Sequence, residues 1–250
     1  MTILSSAHRA GFAQLARSLG GQVGLAVSGT GRDQPVERLG PLQDAVAWST
    51  SKVPVAMAVI ADGRAATHQQ DLAQAITVSD NAAAVRLWES LGGGQTAARA
   101  LEAQLRAAGD DATQIEYRTL RASFTPFGQT AWSLSNQVRF AAGMGCTDAG
   151  RQALALMGEV AASERWGLGA AGVPARLKGG WGPGWQPGVA EGYLDRQMGV
   201  VIIRGVPVAV AIAALSDDGG HEHATRALTL IARWLVAHAN VRGLPIEPAC

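Results

Sequence analysis

Three short strings carry side chains suited to acyl transfer through a serine ester: Ser49-Thr50-Ser51-Lys52, Ser79-Asp80-Asn81 and Lys178-Gly179-Gly180. A serine hydroxyl is a poor nucleophile at neutral pH and needs a base within hydrogen-bond reach. Lys52, three residues beyond Ser49, can be that base only if burial or a neighbouring charge keeps part of it neutral. Ser79 adds a second hydroxyl, Asn81 an amide and Lys178 a further amine. Each string alone also has a plain reading. Ser49 can cap a core helix with Lys52 at its rim, Ser79, Asp80 and Asn81 can be capping residues, and the third string can be a glycine-rich turn. Taken together and in this order, they favour a serine hydrolase.

The surrounding elements suit that chemistry. Trp48 to Ile60 reads as a Ser/Thr start signal followed by a buried apolar helix, with Pro54 in the opening turn. On such a helix Lys52 lies about one turn beyond Ser49, its side chain leaning back toward the serine. The helix N-terminus also offers N–H groups and partial positive charge to a developing oxyanion. Ile76-Thr77-Val78 leads into the second string, and Ala82 to Trp88 continues as an apolar-periodic helix that stops at Gly92-Gly93-Gly94.

On these motifs the chain resembles class A β-lactamases and, more broadly, the penicillin-recognising serine hydrolases, which include D-alanyl-D-alanine peptidases. The likeness extends over most of the chain. An amphipathic opening helix carries Phe12, Leu15, Ala16 and Leu19, Gly20-Gly21 ends it, and Gln22 to Ser28 reads as a strand. Met198 to Ile203, a turn at Arg204-Gly205, and Val206 to Leu215 read as a hairpin of buried strands. A closing helix has Ala227, Leu228, Leu230, Ile231, Trp234 and Leu235 on its apolar side.

The resemblance implies an α/β fold of the α+β type, with an antiparallel sheet flanked by N- and C-terminal helices and an inserted, shortened helical region. It implies one catalytic unit over 1–250, with an α/β half from 1–45 and 166–250 and a helical half from 46–165. It further implies that Ser49 attacks the carbonyl, Lys52 activates it and Ser79 relays a proton to the leaving nitrogen. Asn81 then holds the substrate amide, Lys178 faces a substrate carboxylate from the sheet edge, and the N–H groups of Ser49 and Trp181 form the oxyanion hole beside Gly180.

Three departures from the family pattern bear on activity. Gly179 stands where the group carries threonine or serine, which deletes a hydroxyl worth about 1.5–3 kcal/mol to a substrate carboxylate. The stretch Gln114 to Phe124 lacks the deacylating Glu-x-x-Leu-Asn pattern, and its one acid, Glu116, reads as a surface carboxylate. Ser49 and Ser79 are only thirty residues apart, shorter than the resemblance implies, with Ala61 to Gln74 brief and polar. Weak or slow β-lactam turnover is therefore expected of an acyl-serine hydrolase of β-lactamase or D,D-peptidase type. Two alternatives are a true class A-type β-lactamase with an unrecognised base and a catalytically silent binding protein.

Composition fits one enzyme-sized unit: 250 residues, 48% hydrophobic, net charge +1. That charge excludes a nucleic-acid stripe, and no run approaches the roughly 18 apolar residues of a membrane span. The expected partner is a small-molecule or peptidoglycan-like peptide substrate, β-lactams included, bound by a monomer without cofactor or metal. Met1 to Arg9 lacks signal-peptide regions, so a secreted or cell-envelope protein is expected in its mature form, with a cytoplasmic location as the alternative. Cys146 and Cys250 can pair or stay as free thiols. His221-Glu222-His223 lacks a third ligand and reads as a solvated helix start. Gly179 to Gly188, with Trp181, Pro183, Trp185 and Pro187, is either a cleft rim or a packed turn. Trp48 and Trp181 are the tryptophans expected near the site.

Overall fold

The structure is a computed structural model that describes residues 2–184, 192–216 and 220–250; Trp185, Pro187 and Gly188 lie outside the described residues. Helix α1 (Ser6–Ser18) starts at a capping box in which Ser5 accepts the His8 amide and His8 reaches back to the Ser5 amide. Strands β1 (Gln22–Gly29) and β2 (Glu37–Leu39) follow. A 3-10 turn, Trp48–Ser51, then runs into α2 (Lys52–Ala61). Helices α3 (Gln69–Thr77), α4 (Asn81–Ser90), α5 (Gly94–Ala107), α6 (Leu134–Gly143) and α7 (Asp148–Gly158) come next. Strands β3 (Ala175–Pro183), β4 (Tyr193–Ile203) and β5 (Val206–Ser216) precede α8 (His221–His238).

The strands form one sheet in the order β2-β1-β5-β4-β3, with every neighbouring pair antiparallel. Its two faces are covered differently, and the pleat of β5 shows why. Val208, Val210, Ile212 and Ala214 join Phe12 of α1 and Leu228, Ile231 and Leu235 of α8 in one core. Ala209, Ala211 and Ala213 face the helical layer in the other. Small side chains on that face permit close approach: a Cβ on Gly24 of β1 would lie 1.7 Å from the Leu42 carbonyl oxygen. With both faces covered, the strands read as continuous apolar runs. Leu230 departs from the expected apolar stripe of α8 and is 42% exposed, because Ala227, Leu228, Ile231 and Leu235 already fill the sheet-facing arc.

Helix α2 is apolar on every side and buried from Lys52 to Ile60, as suits the central helix of a helical layer. The two cysteines are paired: Cys146 and Cys250 are 5.5 Å apart at Cα and close a separation of 104 residues. Ala249 also bridges Gly31, so the tail is tied beside β1 by main chain as well. Replacing both cysteines by serine is expected to cost about 4 kcal/mol on the chain-entropy view. Calorimetry should then show melting lower by roughly 10 °C, whereas an unchanged melt would mean that the main-chain tie suffices.

Candidate active site

The Trp48–Ser51 turn carries three hydroxyls, and only one is free for chemistry. Thr50 Oγ1 donates to the Ala47 carbonyl and Ser51 Oγ donates to the Trp48 carbonyl at 2.6 Å, so both are turned inward. Ser49 Oγ makes no hydrogen bond among the described residues, and Ser49 lines a cleft of about 980 Å³. The helix-cap reading of Ser49 fails, since the residue preceding α2 is Ser51 and no side chain caps it. Lys52 opens α2 three residues after Ser49, a spacing that puts both side chains on one face of the turn.

Lys52 is 1% exposed, and its amine reaches the second string. Lys52 Nζ donates to the Ser79 carbonyl, to Asn81 Oδ1 at 2.7 Å and, more weakly, to Ser79 Oγ at 3.3 Å. Asp80 caps α4 by accepting the Ala83 amide at 2.7 Å, which fixes Asn81 at the first position of the helix. Ser79 and Trp48 both hold left-handed backbone, at φ 60° and 46°, an uncommon state for residues with a Cβ. Lys178 Nζ, 0% exposed on β3, donates to Ser79 Oγ at 2.8 Å and to the Gly179 carbonyl at 2.9 Å. A hydroxyl has two acceptor lone pairs and one proton to give. With an amine on each lone pair, Ser79 keeps its own O–H to donate into the cleft.

The amines are tuned by their surroundings. Burial, with the neighbouring Lys178 charge, lowers Lys52 to about 7, and Glu164 and Asp80 partly oppose the shift. Burial lowers Lys178 to about 8, again opposed by Glu164. At neutral pH a large share of Lys52 is therefore unprotonated, the condition a lysine base must meet.

Strand β3, at the sheet edge, presents alternate residues to the site. Lys178, Gly180 and Gly182 share one face. A Cβ on Gly180 would lie 2.7 Å from the Ser49 amide nitrogen, and one on Gly182 would lie 2.9 Å from the Trp48 ring. Glycine at these two positions lets the strand lie directly against the Ser49 turn. Gly179 and Trp181 face the other way: a Cβ on Gly179 would meet the Trp166 ring at 2.7 Å, so the position of the missing hydroxyl is filled by an indole. Trp48 and Trp181 both line the cleft, together with Phe124 and Tyr193. Glu116 does not; it pairs with Arg118.

Several site neighbours escaped the sequence reading. Glu164 is 9% exposed on a short turn held by the Ala161 amide on the Thr77 carbonyl, and its Oε2 is buried without a hydrogen-bond partner. Trp166, two residues on, packs edge-to-face on Trp181. His221 is the exposed first residue of α8, as expected of a helix start, but it also has partners: its Nδ1 lies 2.7 Å from Asp195 Oδ1, and its ring packs against Trp166, Trp181 and Tyr193. Burial raises the Asp195 carboxyl to about 8 and lowers the His221 imidazole. His223 Nε2 lies 2.7 Å from the Leu19 carbonyl. Among the described residues no group of three or more His, Cys, Asp or Glu side chains could hold a metal, and no helix is long and apolar enough to cross a membrane.

No family model and no curated protein matches the chain. Solved structures do. A β-lactamase from Chitinophaga pinensis DSM 2588 superposes with a TM-score of 0.71 at 16% identity, covering 93% of this chain and 99% of that one. The class A β-lactamase from Mycobacterium abscessus gives 0.67 at 15% identity over 92% and 98%. An ancestral class A β-lactamase gives 0.65 at 20% identity over 92% and 99%. The chain has the fold of class A β-lactamases.

Proposed function

We propose that this protein is a serine acyl-hydrolase with Ser49 as nucleophile. Neutral Lys52 takes the Ser49 proton as Oγ attacks an acyl carbon, whose oxygen is received by the N–H groups of Ser49 and Trp181. The tetrahedral adduct collapses to an acyl-serine, and the leaving group departs with a proton passed through the Ser79 hydroxyl. Water then cleaves the ester to a carboxylic acid and regenerates Ser49. Asn81 orients the substrate, and Lys178 fixes Ser79 and biases Lys52 toward its neutral form. One observation carries this reading: two buried amines converge on the Ser79 hydroxyl at the wall of a cleft that also holds the unbonded Ser49.

No acid is among the described residues lining that cleft, which supports slow breakdown of the acyl-serine formed from a β-lactam. Intact-mass analysis after exposure to an aryl phosphonate tests the nucleophile. One adduct per chain, lost in Ser49→Ala, is expected; an unmodified wild type would end the reading.

The pH dependence has a definite sign. The base must be neutral, so acylation rises with pH through about 7, where Lys52 loses its proton. The Lys178 charge is one cause of that low value. In Lys178→Met the rising limb therefore moves to higher pH while the rate falls, as stopped-flow acylation across pH 5–9 would reveal. A limb that stays in place would separate the two lysines.

A further inference from the structure

Resting on Ser49 as the acylated residue, we infer that this cleft selects neutral esters with an apolar or aromatic acyl group, and disfavours donors carrying a carboxylate beside the scissile bond. The first ground is the state of its cations. Arg86 is the one cation among the described residues lining the cleft, and two of its donors are spent on Asp71 Oδ1 at 2.9 and 2.6 Å. Lys52 is committed to Ser79 and Asn81, and Lys178 to Ser79 and the Gly179 carbonyl.

The second ground is the set of groups behind β3. Glu164, buried on the turn after α7, leaves its Oε2 without a hydrogen-bond partner. Asp195, the cross-strand partner of Trp181, is bonded to His221; burial keeps its carboxyl protonated up to about 8 and lowers the imidazole, so this pair offers an anion no positive charge. An anionic group beside Trp181 would thus meet carboxyl groups, an imidazole and indoles, with no cation among them. A carboxylate stripped of water without a paired cation is strongly disfavoured.

The third ground is shape and surface. Trp166 fills the space beside Gly179, so no side-chain hydroxyl can stand there without displacing the indole. Trp48, Val85, Phe124, Trp181 and Tyr193 supply a largely apolar wall. Such a wall suits an aromatic or branched acyl chain. In the step itself, Ser49 Oγ bonds to the acyl carbon, the bond to the alkoxy oxygen breaks, and the alcohol leaves with the serine proton.

A matched pair of phosphonates tests this selectivity on the whole chain. One carries a phenoxy leaving group and the other a 3-carboxyphenoxy group, and their labelling rates of Ser49, followed by intact mass, are normalised to displacement by hydroxide. The neutral reagent is expected to label at least about tenfold faster, the scale of one lost charge-assisted contact. In a Trp166→Ala, Gly179→Thr double variant the gap should shrink. Equal or faster labelling by the carboxylated reagent would overturn the selectivity while leaving Ser49 as nucleophile. Failure of both reagents to label would remove the nucleophile and the selectivity together.

Discussion

Lys52→Met is expected to slow acylation of Ser49 by about 10³–10⁴-fold, the upper range for loss of a positioned general base. Methionine matches the buried shape of the stem and carries no charge, so the helix core should pack as before. Melting is expected to be unchanged or higher, because the variant no longer buries an amine that its surroundings drive toward neutrality. Of the three partners, Asn81 is exposed to water and Ser79 Oγ keeps the Lys178 amine, while the Ser79 carbonyl loses its donor. Rapid-quench acylation alongside calorimetry separates loss of the base from loss of the fold. A fall of less than about tenfold in a well-folded variant would move the base elsewhere.

The second large effect is on stability. Arg196→Met should cost several kcal/mol (about 3–5), because four buried acceptors lose their donor and each stranded polar group costs roughly 1–3 kcal/mol. Arg196 is 0% exposed in the middle of β4, where its Nη1 donates to the carbonyls of Ala45 and Val46 at 2.8 and 2.9 Å. Its Nη2 donates to the Trp132 carbonyl at 3.0 Å and to Gln137 Oε1 at 2.7 Å. One guanidinium thus joins the sheet, the start of α6 and the segment that enters the Ser49 turn. Gln137 continues the chain by donating to Thr50 Oγ1 at 2.9 Å. Arg196→Lys keeps a charge but not the fork, so an intermediate loss is expected. Urea midpoints for the two variants would measure this, and a shift near zero for Arg196→Met would show that the carbonyls find water instead.

These two residues mark what could and could not be read from the chain. The lysine belongs to a local string whose start signal, apolar run and spacing all point the same way, so its place on α2 followed from neighbours in sequence. The same holds for Ser79, Asn81 and Lys178, whose meeting depends only on the fold that the motifs imply. Arg196 is hidden in the sequence because Asp195-Arg196-Gln197 looks too polar for a strand interior, so the hairpin reads as starting at Met198. In the structure all three are 0% exposed, and each is hydrogen-bonded to a segment far away in sequence. Asp195 meets His221, Arg196 meets the 45–46 and 132 carbonyls, and Gln197 accepts the Leu168 amide and donates to the Trp166 carbonyl.

Glu164 and Trp166 had no sequence signal of this kind. They reach the site because a short turn after α7 is tied to Thr77 and to Gln197, pairings that a single chain of letters does not express. The consecutive polar residues in a strand whose remainder is Tyr, Leu, Met, Gly, Val and Ile are the visible clue. Buried polar groups need partners, so such a triplet points to three distant contacts before any coordinates are known.

The left-handed backbone at Ser79 and Trp48 sets heat tolerance against turnover. Such conformations cost on the order of 1–3 kcal/mol each when a side chain is present, and glycine would relieve them. A screen for thermal resistance alone should therefore recover glycine at position 79, discarding the hydroxyl on which both amines converge. Variants selected for rate should keep the serine and tolerate a softer protein.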